Sequence, residues 1–527
     1  MSRMVEALAE KESVQRAHVQ PTFEALGLHS HLVKAIRAAF PKVEFPTATQ
    51  IQLIPAIHNK KDIILQDETG SGKTFGLVLA SLNKPRLTYS DYDVPSITTI
   101  FLVPHRDLAF QIRHWIQKIT ECSSTTPPRL DQVAQVLVRD GQMHLQSGLE
   151  QLLKTPPHVL IATPASLLEV LQKQDDIIDF SRVSAVVVDE VDDLIETIPD
   201  TKTALVEKIR KRIARHPGPT RQLLDIIYSK RKRFTAKNRE EFVDEPYQTP
   251  QLILSSATIR RHLKEYFFGE SGIVKGDVVK VRGTVLPLHV KEMLATSVLH
   301  TDISHHVLVV SDKTIENLAG AAEAPDREDV LKPSPDEEPA PTPVKTEAEL
   351  ERELGFSMTP SPFNQNSLEA VAAAFALYVP SVALLVIPGA TSIYRAVYDL
   401  RALGVNAYNV DMLAEHKGRL HLLSGDATRF KSNPTLFVAS VAAIRGLDLP
   451  ELQHVFILGT LGLEGTDITS RTLDTYIHVA GRVGRFGKKG RVISIIDGEQ
   501  NDQQEVKRMD KILKRLGIQP MKLKEFS

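Results

Sequence analysis

Cysteine is almost absent from this sequence, and so are long apolar runs. Cys122 is the single cysteine among 527 residues, which excludes an intramolecular disulfide and any cysteine-based metal cluster. A reducing, intracellular compartment fits this usage. No uninterrupted apolar run approaches the roughly 20 residues of a membrane span, so we expect no membrane partner. With 42% hydrophobic and 24% charged residues, the chain has the composition of a globular protein.

A secretory signal and an excess of one charge are missing too. The first 20 residues lack an apolar core, and Glu6, Glu10 and Glu12 make them too acidic for a typical organellar transit peptide. The formal net charge is −1, so no global basic field indicates nucleic acid. The charges are nevertheless segregated, because segment 208–239 is strongly basic and segment 323–353 is acidic and rich in proline.

The sequence does contain a phosphate-binding pattern. The apolar run Ile63–Leu65 precedes a glycine-rich turn and a helix-like run follows it, which is the context expected of a phosphate loop. The turn consists of Thr69, Gly70, Ser71, Gly72, Lys73 and Thr74. Glycines let backbone N–H groups approach a polyphosphate, and the following helix adds its positive N-terminal end. Lys73 would reach the β- and γ-phosphates, and the Thr74 hydroxyl would hold Mg²⁺.

A second pattern supplies carboxylates. The β-branched run Val186–Val188 is followed by Asp189, Glu190 and Asp192, and a buried parallel strand presents such groups at the ligand edge of its sheet. Asp189 would hold Mg²⁺, and Glu190 would orient or activate an attacking water. Together, the two patterns predict a nucleoside triphosphatase.

Strand-like runs and helical patterns alternate along the chain in two sets, which predicts two parallel, doubly wound α/β domains. The runs of the first set lie at 63–65, 99–103, 159–162, 185–188 and 252–254, and those of the second at 382–387, 435–439, 454–458 and 491–496. Segment 312–366 has no sustained pattern, and its prolines and acidic residues predict a disordered insertion.

Taken in chain order from Phe23 onward, the motifs resemble those of DEAD-box ATP-dependent RNA helicases of superfamily 2. Residues 46–50 are similar to the Q motif of that family, whose glutamine, here Gln50, reads the adenine, and Phe23 is similar to its upstream stacking aromatic. Residues 69–74 are similar to motif I and residues 189–192 to motif II. The resemblance implies RNA-backbone contacts from motifs Ia and Ib, and coupling of hydrolysis to domain closure through motif III. The positions are Pro104 and Arg106 in motif Ia, Thr163 in motif Ib, and Ser256 and Thr258 in motif III.

The second half of the chain resembles motifs V and VI of the same family. The corresponding residues are Ser440 and Gly446 for RNA, Asp448 for the nucleotide, His478 for coupling, and Arg482 with Arg485 as fingers on the γ-phosphate. A phosphoryl transition state with spread charge needs cations, and arginines supplied by the second domain make hydrolysis depend on closure.

Several positions depart from the family pattern. Asp67 stands where the phosphate loop usually begins with Ala or Gly, and Ser166 replaces a backbone-contacting arginine in motif Ib. Val441 and Val479 replace the aspartate of motif V and the first arginine of motif VI. These changes spare the ATPase residues and weaken RNA gripping or interdomain coupling. We therefore predict that ATP hydrolysis is retained and that duplex unwinding is weaker than in a typical member.

The resemblance implies two tandem RecA-like domains, each a parallel sheet flanked by helices. The predicted segments are an extension (1–22), an ATP-binding domain (23–283), a linker (284–300), a helicase domain (301–503) and a C-terminal helix and tail (504–527). The basic insertion 208–239 is a solvated loop or an added RNA-backbone contact, in which Tyr228 and Phe234 would stack on bases. The acidic insertion 312–366 is solvating, or a site for a protein partner.

The predicted function is that of an ATP-dependent RNA helicase, an RNA-stimulated ATPase that remodels RNA duplexes or RNA–protein complexes in ribosome assembly. The alternatives are a superfamily 2 DNA helicase and a weakly active RNA-binding scaffold that closes on ATP but hardly turns over. We expect a monomer that uses ATP and Mg²⁺ and grips RNA through its backbone, independently of sequence. Strings 103–109 and 481–487 resemble organellar ribosome-assembly members, which favours the mitochondrion over the nucleus or cytoplasm.

Overall fold

Two seven-stranded sheets lie at the centres of two units in the part of the chain that the computed structural model describes. The units are Met1–Val298 and Leu299–Ser527. The described residues are 21–86, 96–139, 145–174, 177–196, 204–229, 249–259, 261–274, 278–282, 303–323, 347–378, 380–389, 391–410, 434–444, 452–460, 470–484, 489–498 and 504–526. None of the helices in these ranges is long and apolar enough to cross a bilayer.

The first unit is built on a parallel sheet. Its strands are β1 (Ile63–Gln66), β2 (Thr99–Leu102), β3 (Ala134–Leu137), β4 (Val159–Ala162), β5 (Ala185–Asp189), β6 (Gln251–Ser256) and β7 (Val279–Val281). They are arranged in the order β3-β4-β2-β5-β6-β1-β7, and each described pairing is parallel. Since the order departs from chain order, helices cross over both faces of the sheet.

The helices of the first unit follow the strands along the chain. They are α1 (Ser30–Ala39), α2 (Ala48–His58), α3 (Lys73–Leu82), α4 (Arg106–Glu121), α5 (Leu130–Val133), α6 (Leu145–Lys154), α7 (Pro164–Lys173), α8 (Val191–Leu194), α9 (Ala204–Arg215), α10 (Pro219–Ile227) and α11 (Arg261–Glu265), with a π-helical turn at Tyr266–Glu270. Together they leave both faces of the central strands buried.

Burial on both faces explains why the strands read as continuous apolar runs. In β5, Ala185 and Val187 join one hydrophobic core, whereas Val186 and Val188 join the core on the opposite face. Successive side chains of a strand point to opposite faces, so a strand covered by helices on both sides must be apolar at every position. Each fully buried valine contributes roughly 1.5–3 kcal/mol to burial.

The second unit repeats this plan with one antiparallel edge. Its strands are β8 (Ile303–Val310), β9 (Ile315–Asn317), β10 (Val382–Ile387), β11 (Ala407–Asn409), β12 (Thr435–Ser440), β13 (His454–Leu458) and β14 (Gly490–Asp497). The order is β11-β12-β10-β13-β14-β8-β9, and among the described pairings only β8 with β9 is antiparallel. The helices are α12 (Glu347–Ser357), α13 (Gln365–Tyr378), α14 (Ile393–Ala402), α15 (Val441–Ile444), α16 (Ser470–Ala480) and α17 (Gln504–Leu516), followed by a 3₁₀ turn at Lys524–Phe526.

The predicted fold class is confirmed, because two parallel sheets flanked by helices are present in tandem. The prediction of disorder over 312–366 is wrong at both ends of that segment. Residues Ile315–Asn317 form β9 against β8, and residues Glu347–Ser357 form α12, which is fixed to α14 through the Arg395 side chain. Residues 324–346 lie outside the described residues. So does the whole of the predicted linker 284–300, and the domain bounds remain a prediction.

Candidate functional site

The phosphate loop joins β1 to α3, as the sequence predicts. Gly70 and Gly72 both have φ of +84°, a left-handed conformation that glycine adopts without strain. Gly72 is also the residue before the first turn of α3, and a Cβ there would lie 2.7 Å from Gln50 Nε2. Any side chain at this position would therefore meet both backbone strain and a steric clash.

Lys73 holds its ammonium group inside this loop. Its Nζ donates to the backbone oxygens of Asp67 at 2.8 Å and Glu68 at 2.6 Å, and the side chain is buried. A phosphate oxygen is a stronger acceptor for an ammonium than a neutral carbonyl, because the hydrogen bond is charge-assisted on both sides. Lys73 is thus placed where an entering polyphosphate would take over its hydrogen bonds.

Three hydrogen bonds tie the start of α2 to the loop. Thr47 Oγ1 donates to Ser71 O at 2.8 Å, Gln50 Nε2 donates to Gly72 O at 3.1 Å, and the Thr49 hydroxyl donates to the Asp67 carboxylate. Thr47 and Gln50 also form a reciprocal capping box at the N-terminus of α2. The segment predicted to read adenine is therefore physically part of the phosphate loop.

Thr74 and Asp189 form the candidate Mg²⁺ site. Thr74 Oγ1 donates to Asp189 Oδ2 at 2.7 Å across the gap between α3 and β5. Burial raises the pKa of the Asp189 carboxyl, and the adjacent Glu190 carboxylate raises it further, against the opposing effects of Thr74 and Lys73. A hydroxyl and a carboxylate are the hard oxygen ligands that Mg²⁺ prefers, and a divalent cation would favour the charged form of Asp189. The residues fit the ion.

Glu190 directly follows β5 in a strained conformation. Its φ is +52°, which is uncommon for a residue with a side chain, and it is buried. Such a backbone costs on the order of 1 kcal/mol and is found mainly at functional positions. The end of β5 thus places Glu190, whose carboxylate is predicted to act on the attacking water.

A carboxylate also bridges the ends of β5 and β6. Asp192 Oδ1 accepts from Ser256 Oγ at 2.6 Å, and Asp192 Oδ2 accepts from Thr258 Oγ1 at 2.8 Å. Any shift of the turn after β5 is therefore passed to the turn after β6. This is the geometry that a coupling role of Ser256 and Thr258 requires.

The residues predicted to contact RNA lie at the ends of β2 and β4. Pro104 and Arg106 flank His105, whose Nδ1 accepts from Leu108 N at 3.3 Å and so caps α4. Thr163 is the N-cap of α7, and its hydroxyl donates to Ser166 Oγ at 2.9 Å. Ser166, the residue in place of an arginine, is fully buried.

Together these groups share one edge of the first sheet. Parallel strands β4, β2, β5, β6 and β1 are consecutive neighbours, and their carboxyl ends carry Thr163, Pro104, Asp189, Ser256 and the phosphate loop in that order. Carboxyl ends of parallel strands are where open α/β sheets bind ligands. The candidate RNA residues lie at one end of this edge and the candidate nucleotide residues at the other.

In the second unit the structure describes three of the predicted residues. Ser440 ends β12, and His478 lies buried in α16. Arg482 follows α16, is buried, and donates through Nε to the backbone oxygen of His478 at 2.8 Å. This bond fixes the stem of the guanidinium. Gly446, Asp448 and Arg485 lie outside the described residues, so their roles stay predictions.

Two predicted base-stacking rings are buried instead. Phe23 is 0% exposed within the core around α1 and α2, and Tyr228 is 0% exposed in the core beneath α10. Neither ring has a face available to a base in this structure, which contradicts the proposed stacking; Phe234 lies outside the described residues. Sequence reasoning missed Phe45, whose ring is 47% exposed just before Thr47. A large apolar residue outside any helical pattern, directly before Pro46 and Thr47, was the available signal.

Comparison with known proteins agrees with this geometry. The model of the DEAD/DEAH box helicase family matches residues 47–266, and that of the helicase conserved C-terminal domain matches residues 394–487. The ATP-dependent RNA helicase DBP9 of Saccharomyces cerevisiae is 33% identical over 190 residues, which are 35% of this chain and 30% of DBP9. The ATP-dependent RNA helicase MAK5 of the same species is 25% identical over 490 residues, which are 89% of this chain and 52% of MAK5.

The fold is also that of solved helicase structures. S. cerevisiae Dbp5 bound to RNA and ADP BeF3 matches with a TM-score of 0.56 and 19% identity, and 95% of each chain is covered. The chain spans 30% of DBP9 and 52% of MAK5, well short of either full length. The first matched region includes strands β1 to β6, and the second includes strands β11 to β13. The chain belongs to the DEAD/DEAH box helicase family.

Proposed function

We propose that this protein is an ATP-dependent RNA helicase, an RNA-stimulated ATPase that remodels RNA duplexes or RNA–protein complexes. The observation that carries the proposal is the single sheet edge where the phosphate loop, the Thr74–Asp189 pair and the Asp192–Ser256–Thr258 bridge meet. Relatives DBP9 and MAK5 are named ATP-dependent RNA helicases, and the Dbp5 structure holds RNA. A role in ribosome assembly is supported by strings 103–109 and 481–487, which resemble organellar members.

Each residue of the site has a proposed task in ATP hydrolysis. Lys73 binds the β- and γ-phosphates, and Glu190 takes or orients the proton of the attacking water. Thr74 and Asp189 hold Mg²⁺, which supplies positive charge to the phosphates when bound. Arg482 and Arg485 stabilise the charge that develops on the transferred phosphoryl group.

The proposed RNA surface combines the ends of β2 and β4 with basic helix α9. Lys208, Lys211 and Arg215 recur at helical spacing on α9 and are exposed, whereas Arg212 forms an ion pair with Glu196. Exposed basic residues in a row bind phosphates without reading sequence, and such binding weakens as salt rises. Pro104, Arg106 and Thr163 complete the proposed surface of the first unit, and Ser440 and Gly446 are the RNA contacts proposed for the second.

Steady-state ATP hydrolysis, titrated with single-stranded RNA and in parallel with DNA, tests the function. We expect RNA alone to stimulate hydrolysis, and raised salt to weaken the stimulation. The variant Glu190→Gln should lose roughly 100-fold or more in turnover while it still binds ATP, because only the carboxylate that acts on the water is neutralised. The matched control Glu316→Gln changes an exposed glutamate on β9 and should leave turnover unchanged.

The outcome decides between the proposal and its alternatives. Equal stimulation by DNA would favour a DNA helicase, and undiminished turnover of Glu190→Gln would refute the assignment of the catalytic site. Hydrolysis indifferent to RNA, with RNA binding intact, would favour an ATP-dependent RNA-binding scaffold. One observation speaks for the scaffold: the Thr163 hydroxyl is engaged by buried Ser166 where the family has an arginine for the RNA backbone.

We also propose that the protein is a monomer in the mitochondrion and that the acidic, proline-rich insertion 312–366 recruits a protein partner. The basis is the composition of that segment and the two organellar strings. Sedimentation measures the mass, and microscopy of the tagged protein shows the compartment. Pull-down with the chain with and without residues 324–346 tests for the partner. A dimeric mass, a nuclear or cytoplasmic signal, or identical pull-downs would each refute the corresponding proposal.

A further inference from the structure

Thr49 and Asp67 form a buried polar pair beneath the phosphate loop. Their side chains are 1% and 7% exposed, respectively. The Thr49 hydroxyl donates to Asp67 Oδ2, and Asp67 Oδ1 accepts from Glu68 N at 2.9 Å. Both carboxylate oxygens are therefore satisfied, which a buried charge requires.

The carboxylate lies at the base of a loop built for an anion. Asp67 is the first residue after β1, its N–H donates to Ser256 O at 3.3 Å, and its carbonyl accepts from Lys73 Nζ. The negative charge of the Asp67 carboxylate repels a bound polyphosphate and so opposes its binding, and this repulsion is strong in a partly buried site. Something must offset that repulsion if the loop is to bind a nucleotide.

Thr49 provides the offset through its place in α2. It lies in the first turn of that helix, where the helix dipole favours a negative charge. The hydroxyl fixes the Asp67 carboxylate against this turn. Since Gln50 is the next residue and donates to Gly72 O, the same turn holds both ends of the loop.

We propose that Thr49 is a positioning residue that fixes the Asp67 carboxylate against α2 and thereby sets the affinity of the loop for polyphosphate nucleotides. The inference depends on the proposed function, since it presupposes that this loop binds a nucleoside triphosphate. It explains how an acidic residue is tolerated at the start of the loop. Without the hydroxyl, the carboxylate is free to turn toward the phosphates and repel them.

A double-mutant cycle tests the proposal on the full chain. The variants are Thr49→Val, Asp67→Asn and the two combined, with Thr49→Ser as the conservative control that keeps the hydroxyl. Calorimetry gives the Kd for ATP, ADP and adenosine, and thermal unfolding reports folding.

We expect Thr49→Val to weaken ATP binding about tenfold, ADP binding less, and adenosine binding hardly at all, because repulsion grows with ligand charge. Asp67→Asn should bind ATP at least as tightly as the wild type. The double variant should return to within about twofold of Asp67→Asn, since no charge is left to repel the ligand. Thr49→Ser should behave as the wild type.

A purely structural role of Thr49 gives a different pattern. The double variant would then be as weak as Thr49→Val, and the loss would be equal for ATP and adenosine; either result overturns the proposal. A tenfold loss in Asp67→Asn alone would also overturn it, and that variant decides the case if Thr49→Val does not fold. If all variants bind ATP as the wild type does, only this inference fails. If neither the wild type nor any variant binds ATP, the proposed function fails as well.

Discussion

Gln50 is a single side chain that serves two elements at once. Its Oε1 accepts from Thr47 N at 3.0 Å and its Nε2 donates to Gly72 O at 3.1 Å. A glutamine amide has two donor hydrogens and two acceptor lone pairs, so one of each is left for a base. Gln50 is buried in this structure, so recognition of adenine by its amide stays a prediction. A base bound there would need a nearby aromatic ring to hold its plane.

Phe45 is our candidate for that ring, because it is 47% exposed and lies two residues before Thr47, which binds the loop. Phe45→Ala should raise the Kd for ATP about tenfold, since stacking of a base on an aromatic ring contributes roughly 1–3 kcal/mol. The Kd for inorganic tripolyphosphate, which has no base, should stay unchanged. Competition binding with a fluorescent ATP analogue measures both.

Phe268→Ala is the matched control for Phe45, because the Phe268 ring is 45% exposed on the π-helical turn at Tyr266–Glu270. It should bind ATP as the wild type does. Equal losses for ATP and tripolyphosphate in Phe45→Ala would show that the ring supports the loop rather than the base, and would refute stacking.

At the scale of elements, the packing of α2 on α3 decides whether the loop keeps its shape. A Cβ on Gly76 would lie 2.9 Å from Gln50 Cγ and 3.3 Å from Leu53 Cδ2. Gly76→Ala gains up to about 1 kcal/mol of helix propensity but forces Gln50 aside, and overpacking of this kind costs roughly 1–3 kcal/mol. We expect ATP affinity to fall at least threefold even if the melting temperature hardly moves.

Gly355→Ala is the counterpart in an uncrowded helix. Gly355 lies in α12, and an added Cβ would have no heavy atom within 4 Å. This substitution should stabilise the second unit by a few tenths to 1 kcal/mol and leave ATP binding unaltered. Calorimetric melting and ATP titration of both variants make the comparison, and unchanged ATP affinity in Gly76→Ala would contradict the packing argument.

The elements predicted from the sequence are those whose pattern is locally complete. Runs such as Val186–Val188 are apolar at every position and are buried on both faces, so a few adjacent residues are enough to predict the strand. Strand β3 was missed because polar Gln135 interrupts it; its amide is bonded to Thr155 O, a partner that is distant in sequence. Helix α12 was missed because a contact that holds it comes from another element. Arg395 of α14 donates a hydrogen bond to the Phe356 carbonyl oxygen, and the sequence of α12 alone does not show this contact.

In the candidate site too, the features that were predicted are those formed by neighbouring residues in the sequence. The phosphate loop is one such feature and the pair Asp189–Glu190 is another, because within each of them short spacing alone brings the groups together. The Thr49–Asp67 pair and the burial of Phe23 and Tyr228 were not, because both depend on which helix covers which strand. Side-chain exposure is set by tertiary packing, and a single sequence does not record it.

At the scale of the whole molecule, buried histidines set the response to acid. Burial lowers the pKa of His114 and His158 in the first unit to about 4, and that of His305, His306 and His454 in the second to about 4, 4 and 3. Arg491 lowers the pKa of His306 and His454 further. Both units thus fold around neutral imidazoles.

The sign of the effect follows from proton binding. An unfolded histidine titrates near pH 6.5, so between pH 6.5 and about 4 the unfolded chain binds more protons than the folded one. Stability from these groups is complete above pH 6.5 and is lost as the pH falls toward 4. We therefore expect the melting temperature to drop steeply across this window.

Replacing one of these histidines should flatten that drop. His454 stacks on Tyr378 and Phe456, so His454→Phe keeps the ring contacts and removes the titrating group. Its melting temperature should depend less on pH between 6.5 and 4 than that of the wild type, whereas exposed His216→Gln should follow the wild type. Identical pH profiles for wild type and His454→Phe would contradict this prediction. They would mean that protonation of His454 in the unfolded chain does not contribute to the loss of stability in acid.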